Sequence, residues 1–377
     1  MIFYSKKVKL CKMDKVIKFK QIERKSFRME ENMKKVIILI MVLSIFGTVF
    51  AKKIGSFKEV LRPEMIAISS DHIYVVEGST IFVYSLKGLK FITKFGRKGE
   101  GPGELKSVSK FSNTVLIYPD FIFAESIDKI VYFSKEGKLI NEKRKFPESF
   151  RFMPLGENFA GKKVVADDQG RLYSTVNLFN SKMEKVKELY RQKFFQQGTN
   201  IELIPESLNF WVCENKIFIE ESTKGFLIEV FDSNGVKLYQ IEKKYERLKV
   251  SAENKEEIIE ELKQDPRTKE QGWENIKQII NFTFADSFPP IQDIIVLDKK
   301  IYVKTFKKQG NKEEFLVMNL KGELQKSLYL PTVKSRYLKQ LAGLGPKFYS
   351  IENDKFYYLF ENEEGEWELH SVDISGN

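Results

Sequence analysis

From residue 65 onward the chain alternates apolar and polar residues in short runs broken by turn residues. Ile73 to Gly88 (IYVVEGSTIFVYSLKG) aligns without a gap on Ile122 to Gly137 (IFAESIDKIVYFSKEG), at an offset of 49 residues. Each copy is an alternating run, a polar turn, a second run and a Ser-x-x-Gly turn into a further strand. A period of two puts every second side chain on one face, so the pattern predicts an antiparallel meander. It recurs at Ile217 to Gly235, Ile301 to Gly322 and Phe356 to Gly376. A sixth copy is expected at Leu172-Tyr173, where the hairpin Asn180-Ser181-Lys182 lacks the glycine.

Upstream of the copies stand further strand-like runs: Met65 to Ser69, Val164 to Ala166, Phe210 to Cys213, Ile294 to Leu297 and Phe348 to Ile351. Four short strands in about 50 residues is the blade of a propeller. The predicted fold class is therefore all-β, a six-bladed β-propeller. The chain stops at Gly376-Asn377, where the other copies lead into an outer strand, so Ile54 to Leu61 is expected to supply that strand and close the last blade.

One insertion, about 251–282, turns helical. Ile258, Ile259 and Leu262 precede a breaker at Asp265-Pro266; Trp273, Ile276, Ile279 and Ile280 follow, with a Thr268-x-x-Gln271 capping box. Two amphipathic helices covering a propeller face are expected. The sharper reading makes them a lid over the channel, with Trp273 facing a ligand.

The amino terminus changes the charge picture. Met33-Lys34-Lys35, the apolar run Val36 to Phe50 and a small-residue site at Val49-Phe50-Ala51 read as a signal peptide over 33–51, cleaved after Ala51. Residues 1–51 are thus a leader and 52–377 the propeller. A secreted or periplasmic protein with no stable membrane anchor after cleavage is expected. The leader holds 12 of the 63 Lys and Arg but 4 of the 52 Asp and Glu, so the net charge of +11 belongs mostly to it. A nearly balanced remainder argues against nucleic acid as a partner. Only Cys213 remains outside the leader, which excludes an internal disulfide there.

The run Phe95 to Leu105 (FGRKGEGPGEL) resembles the glycine-rich joint of NHL-repeat propellers. Pro289-Pro290-Ile291-x-x-Ile294 followed by Ile301-Tyr302-Val303 resembles a blade start of the secreted bacterial six-bladed propellers of unknown function. At blade level the resemblance spans the chain after the leader. It implies a fold more than an activity.

Candidate chemistry is sparse. With only His72 and His370, a multi-histidine metal site or a Ser-His-Asp triad lacks material. Asp167-Asp168 reads as a turn. The glycine stretch could form a nest of N–H groups beside Arg97 and Lys98, or a shaped joint in which Arg97 pairs with Glu104. Candidate ligand contacts are Arg97, Lys98 and Glu104 in this joint, Arg151 in the 146–159 loop, Trp273 in the insertion and Arg336 in the 332–347 loop. The function expected is a monomeric, non-catalytic binding or scaffold module for a protein or glycan, without a cofactor. The alternative is a hydrolase of the gluconolactonase-like class, which would hold a divalent cation such as calcium through carboxylate and amide oxygens.

Overall fold

The alternating runs fold into six four-stranded antiparallel sheets among the residues that the computed structural model describes, 51–106, 115–146, 148–331 and 347–376. From inner to outer strand, blade one is Met65–Ser69, His72–Glu77, Thr80–Ser85 and Phe91–Phe95; blade two is Val115–Ile117, Ile122–Glu125, Lys129–Phe133 and Leu139–Arg144. Blade three is Ser149–Leu155, Asn158–Ala166, Leu172–Phe179 and Lys185–Lys193; blade four is Leu208–Cys213, Lys216–Glu221, Phe226–Phe231 and Lys237–Lys243. Blade five is Asp293–Leu297, Lys300–Gln309, Lys312–Asn319 and Leu324–Pro331. Blade six takes Tyr349–Glu352, Lys355–Glu361 and Trp367–Asp373 from the carboxyl end, and its outer strand is Ala51–Phe57. The fold is an all-β propeller.

The closing strand begins and ends earlier than Ile54 to Leu61. Its ladder runs antiparallel from Ala51 opposite Val372 to Phe57 opposite Trp367. Trp367 is the first residue of its strand, so beyond Phe57 no partner backbone remains. Val60 still packs into the core between blades six and one, beside Phe57 and Trp367.

In blade three the expected phase is one strand out. Leu172–Phe179 is its third strand, and 149–166, read as loop plus a short run, holds the first two. The cause is a register shift between Phe150 and Met153 that interrupts the alternation.

Apolar side chains fill the gaps between neighbouring sheets rather than one central core. Tyr357, Leu359 and Trp367 of blade six meet Ile66, Val75 and Phe82 of blade one. Val76 and Ile81 of blade one meet Ile122 and Val131 of blade two. Phe123 packs with Phe152 and Phe159 between blades two and three, and Phe315 stands edge-on to Phe356 at 5.4 Å between blades five and six. Each such side chain withdrawn from water contributes about 1.5–3 kcal/mol.

The recurring turn glycines Gly88, Gly137, Gly235 and Gly322 all have positive φ, and at Gly137 a contact adds to that need. Gly137 has φ +83, and a Cβ there would sit 2.3 Å from the ring of Phe95 on blade one's outer strand. In blade three Met183 takes the equivalent turn position at φ 67, and its side chain is buried with Phe123, Phe152 and Phe159. Packing there offsets the left-handed backbone that glycine supplies elsewhere.

The insertion forms helices Ala252–Gln264, Pro266–Gln271 and Trp273–Ile279. Its capping box is at Ser251 and Asn254, not at Thr268: the Asn254 N–H donates to Ser251 Oγ and the Ser251 N–H to Asn254 Oδ1, both at 3.1 Å. Pro266 opens the second helix, which leaves Thr268 inside it and buried. Ile258 packs with Leu203, Ile204, Phe288 and Phe306, so the insertion covers the connector before blade four and the long second strand of blade five. No helix among the described residues is long and apolar enough to cross a membrane.

Candidate functional site at the channel axis

Inner strands of neighbouring blades contact one another around the axis. At their amino-terminal ends the alternation predicts apolar residues, yet several positions are polar. Blade three contributes Arg151, blade four Asn209, blade five Asp293 and blade six Tyr349, with Lys347 two residues ahead.

Arg151 has φ 55, a left-handed backbone at a bulky residue within the bulge that re-aims its side chain. The strain is held by Glu125, the last residue of blade two's second strand. Glu125 is fully buried; it accepts from the Phe152 N–H at 2.9 Å and pairs with Lys145 at 3.1 Å, and the Arg151 N–H adds to its support. Burial raises its pKa against the opposing pull of Lys145.

The Arg151 guanidinium donates from Nη1 to Asn209 Oδ1 at 2.8 Å, and its Nη2 stands 3.7 Å from Asp293 Oδ1. Lys347 Nζ lies 3.2 Å from Asp293 Oδ2, and the Tyr349 hydroxyl donates to the same oxygen at 3.0 Å. Burial alone would raise the Asp293 pKa, but Lys347 and Arg151 outweigh it and hold the carboxyl below its ordinary range. Aromatic faces back the cations: Lys347 Nζ is 4.8 Å from the centre of the Trp211 ring, and the Arg151 guanidinium 5.9 Å from that of Phe210. Water reaches 14% of the Arg151, 23% of the Asp293 and 24% of the Lys347 side chain. The cluster is therefore mostly buried, with partial access for water.

Behind it lies a second pair. Lys162 donates to the Leu208 carbonyl at 2.7 Å, and burial, reinforced by Arg151, pushes its pKa down to about 7. Glu220 is fully buried, and that burial pushes its carboxyl up to about 8. Hydrogen-bond geometry agrees. Ser207 Oγ stands 2.5 Å from Glu220 Oε1 and 2.9 Å from the Ile291 carbonyl oxygen, and one hydroxyl proton cannot serve both. With Ser207 donating to Ile291, a proton on Glu220 completes the set.

Of the sequence candidates, Arg151 alone stands in this cluster. In the glycine joint Arg97 Nε pairs with Glu104 at 2.7 Å. The Gly101 N–H donates to Glu104 at 2.8 Å, the Gly103 N–H to Glu142 at 3.1 Å and the Gly99 N–H to the Leu105 carbonyl at 3.4 Å. The N–H groups of the expected nest are thus engaged within the protein. The Gly101 N–H, ahead of Arg97, holds the Glu104 carboxyl below its ordinary range. Lys98 is exposed beside them. Trp273 stacks on Phe282 at 5.6 Å within the insertion, and Arg336 lies outside the described residues. Asp167 forms the expected turn, accepting from the Gln169 and Arg171 N–H groups, but between the second and third strands of blade three.

Sequence reasoning passed over Asn209, Asp293, Lys347 and Tyr349, and the supporting Glu125, Lys162 and Glu220. Their signal was present: a polar residue inside an otherwise apolar strand, as in Leu208-Asn209-Phe210 or Ile219-Glu220-Glu221.

Chemically the axis offers donors and positive charge. Among the described residues no three His, Cys, Asp or Glu side chains are placed to hold a metal ion. Asp293, the carboxylate best placed for one, is already surrounded by Arg151, Lys347 and the Tyr349 hydroxyl. His370 pairs with Glu368 at 2.8 Å on blade six's third strand.

The fold and site together define an all-β propeller with a charged axial cluster. No family model and no curated protein matches the chain. Among solved structures it is similar to a member of the DUF4221 family from Bacteroides vulgatus, at 12% identity over 88% of this chain and 98% of that one with a TM-score of 0.45. It is also similar to BamB from Moraxella catarrhalis (10% identity, 81% and 71% covered, TM-score 0.31) and to a protein of unknown function from Bacteroides caccae (8%, 72% and 83%, 0.35). These likenesses concern the fold and leave ligand and activity open.

Proposed function

We propose that the chain is a secreted or periplasmic, NHL-like six-bladed propeller acting as a non-catalytic binding module that holds a protein or glycan partner at the face where the axial cluster opens. The observation that carries this reading is the convergence of Arg151, Asn209, Asp293 and Tyr349 from four blades, joined by Lys347. Recognition needs fixed donors and charge. Hydrolysis needs in addition a nucleophile with its base, or an activated water. The lactonase-like alternative would need a cation beside Asp293, where two cationic side chains already stand.

The test is to array the protein without its leader against immobilised glycans and peptides, with Arg151→Gln in parallel. Saturable binding that the variant loses is expected. Calcium-dependent turnover of a lactone, abolished in Asp293→Asn, overturns the reading in favour of a hydrolase. Export is checked separately, since amino-terminal sequencing of the secreted protein should begin at Lys52.

A further inference from the structure

Resting on that reading, we propose that the axial cluster is a subsite for the carboxylate of an organic ligand, gripped by Arg151 and Lys347 beside the rings of Trp211 and Tyr349. Three lines of geometry support it.

The first is unspent donor capacity. A guanidinium carries five N–H groups and an ammonium three. Among the described residues Arg151 makes one side-chain hydrogen bond, to Asn209, and stands 3.7 Å from Asp293, and Lys347 makes one close approach, to Asp293. Water reaches both side chains in part, 14% of Arg151 and 24% of Lys347.

The second is charge. Around the axis Arg151, Lys347 and Lys162 face Asp293 and Glu220, while Lys304 is matched by its partner Glu313. Lys162 and Glu220 cancel, whether they stand as an ion pair or with the shared proton on the carboxyl, which leaves Asp293 against Arg151 and Lys347. Arg151 and Lys347 then leave an excess of one positive charge, which a monoanion balances. A phosphate dianion would overcompensate it beside Asp293.

The third is the pair of rings. The Lys347 ammonium lies 4.8 Å from the Trp211 ring centre and 5.5 Å from that of Tyr349. A ligand whose carboxylate reaches these cations sets its carbon body against ring faces. The strained Arg151 backbone, held by Glu125, keeps the planar fork aimed inward. Such strain persists where the surroundings over-determine it, and it concentrates at ligand sites.

Calorimetric titration at low salt and pH 7 with benzoate, its neutral isostere benzamide and inorganic phosphate tests the proposal. Benzoate is expected to bind and to weaken with added salt, with benzamide weaker by about tenfold or more, the worth of one charge-assisted contact. Arg151→Gln and Lys347→Gln should each weaken benzoate about tenfold, and Asp293→Asn should tighten it several-fold by raising the excess charge. Circular dichroism confirms that each variant folds; should Arg151→Gln unfold, Lys347→Gln and Asp293→Asn decide. Benzamide binding as well as benzoate, variants that bind benzoate like the wild type, or phosphate bound in preference overturns the proposal. Partner capture that survives in Arg151→Gln and Lys347→Gln overturns this subsite while leaving the binding-module reading standing.

Discussion

The glycine joint at residues 94–105 and the bulge at Arg151 are both irregular connections that carry arginine on a backbone turned partly left-handed, yet they work in opposite ways. At the joint, the side chain of Arg97 is 80% exposed and paired with Glu104 within the same loop. The neighbouring N–H groups are taken by Glu104, Glu142 and the Leu105 carbonyl. At the bulge, Arg151 is mostly buried, its backbone is held by a carboxylate from another blade, and among the described residues its side chain meets groups of two further blades, Asn209 and Asp293. The joint is a shape made by backbone; the axis is a charge arrangement made by side chains. A glycine-rich, cationic stretch draws the eye in a sequence, but its groups satisfy one another locally. The axial groups come from strands up to about 200 residues apart and are poised only once the ring has formed.

This contrast predicts where substitutions hurt. The largest effect is expected at Glu125→Ala, which strips the buried Lys145 of its counter-charge and leaves the Phe152 N–H without its acceptor. Removing one member of a buried pair costs about 3–5 kcal/mol. Urea unfolding at pH 7 measures it, and a loss below about 1 kcal/mol would show that Glu125 does not hold the bulge.

Glu220→Gln tests whether burial keeps the Glu220 carboxyl protonated. A carboxyl whose pKa is raised on folding to about 8, from an unfolded value of 4.5, contributes stability that is fully present below 4.5 and lost as the pH climbs through 8. Glutamine does not titrate, and it can donate to Ser207 while accepting from Asn209, as the protonated acid does. The variant should match wild type at pH 5 and exceed it at pH 7, by up to about 1.4 kcal/mol for each pH unit crossed. Parallel wild-type and variant curves across that window would assign an ionised Glu220, held as an ion pair with Lys162.

Much of this fold was legible because a propeller writes itself locally. Each blade repeats its alternation and its turn residues within about 50 positions, and the strand left unpaired at the carboxyl end called for one near the amino end. Blade three was misphased because Arg151 breaks the period of two, so the feature that hid two strands is the one that builds the site. The axial partners were not legible as a set. Asn209, Asp293 and Lys347 each look like a stray polar residue, and no local pattern says that three blades turn them toward one point. Thr268 misled for a related reason: Ser-or-Thr spacing marks a cap only where a helix begins, and Pro266 starts that helix two residues earlier.

The two smallest effects divide backbone from side chain within the joint itself. Gly96 has φ +74, and a Cβ there would lie 2.5 Å from the Ser79 carbonyl oxygen, a backbone atom with little freedom to move. Gly96→Ala should therefore cost about 1–2 kcal/mol from the left-handed backbone alone, with the contact added to it. Arg97→Ala, one residue on, removes a cation whose only close partner among the described residues is Glu104, and the Gly101 N–H keeps that carboxylate in place. An exposed pair of this kind is worth at most about 1 kcal/mol, and salt screens it. Denaturation midpoints for Arg97→Ala and wild type should coincide within about 0.5 kcal/mol, and titration with benzoate or phosphate should not tell them apart. If Arg97→Ala abolishes anion binding while Arg151→Gln spares it, the joint is the recognition site and the axial cluster is structural, and the contrast between the two regions is reversed.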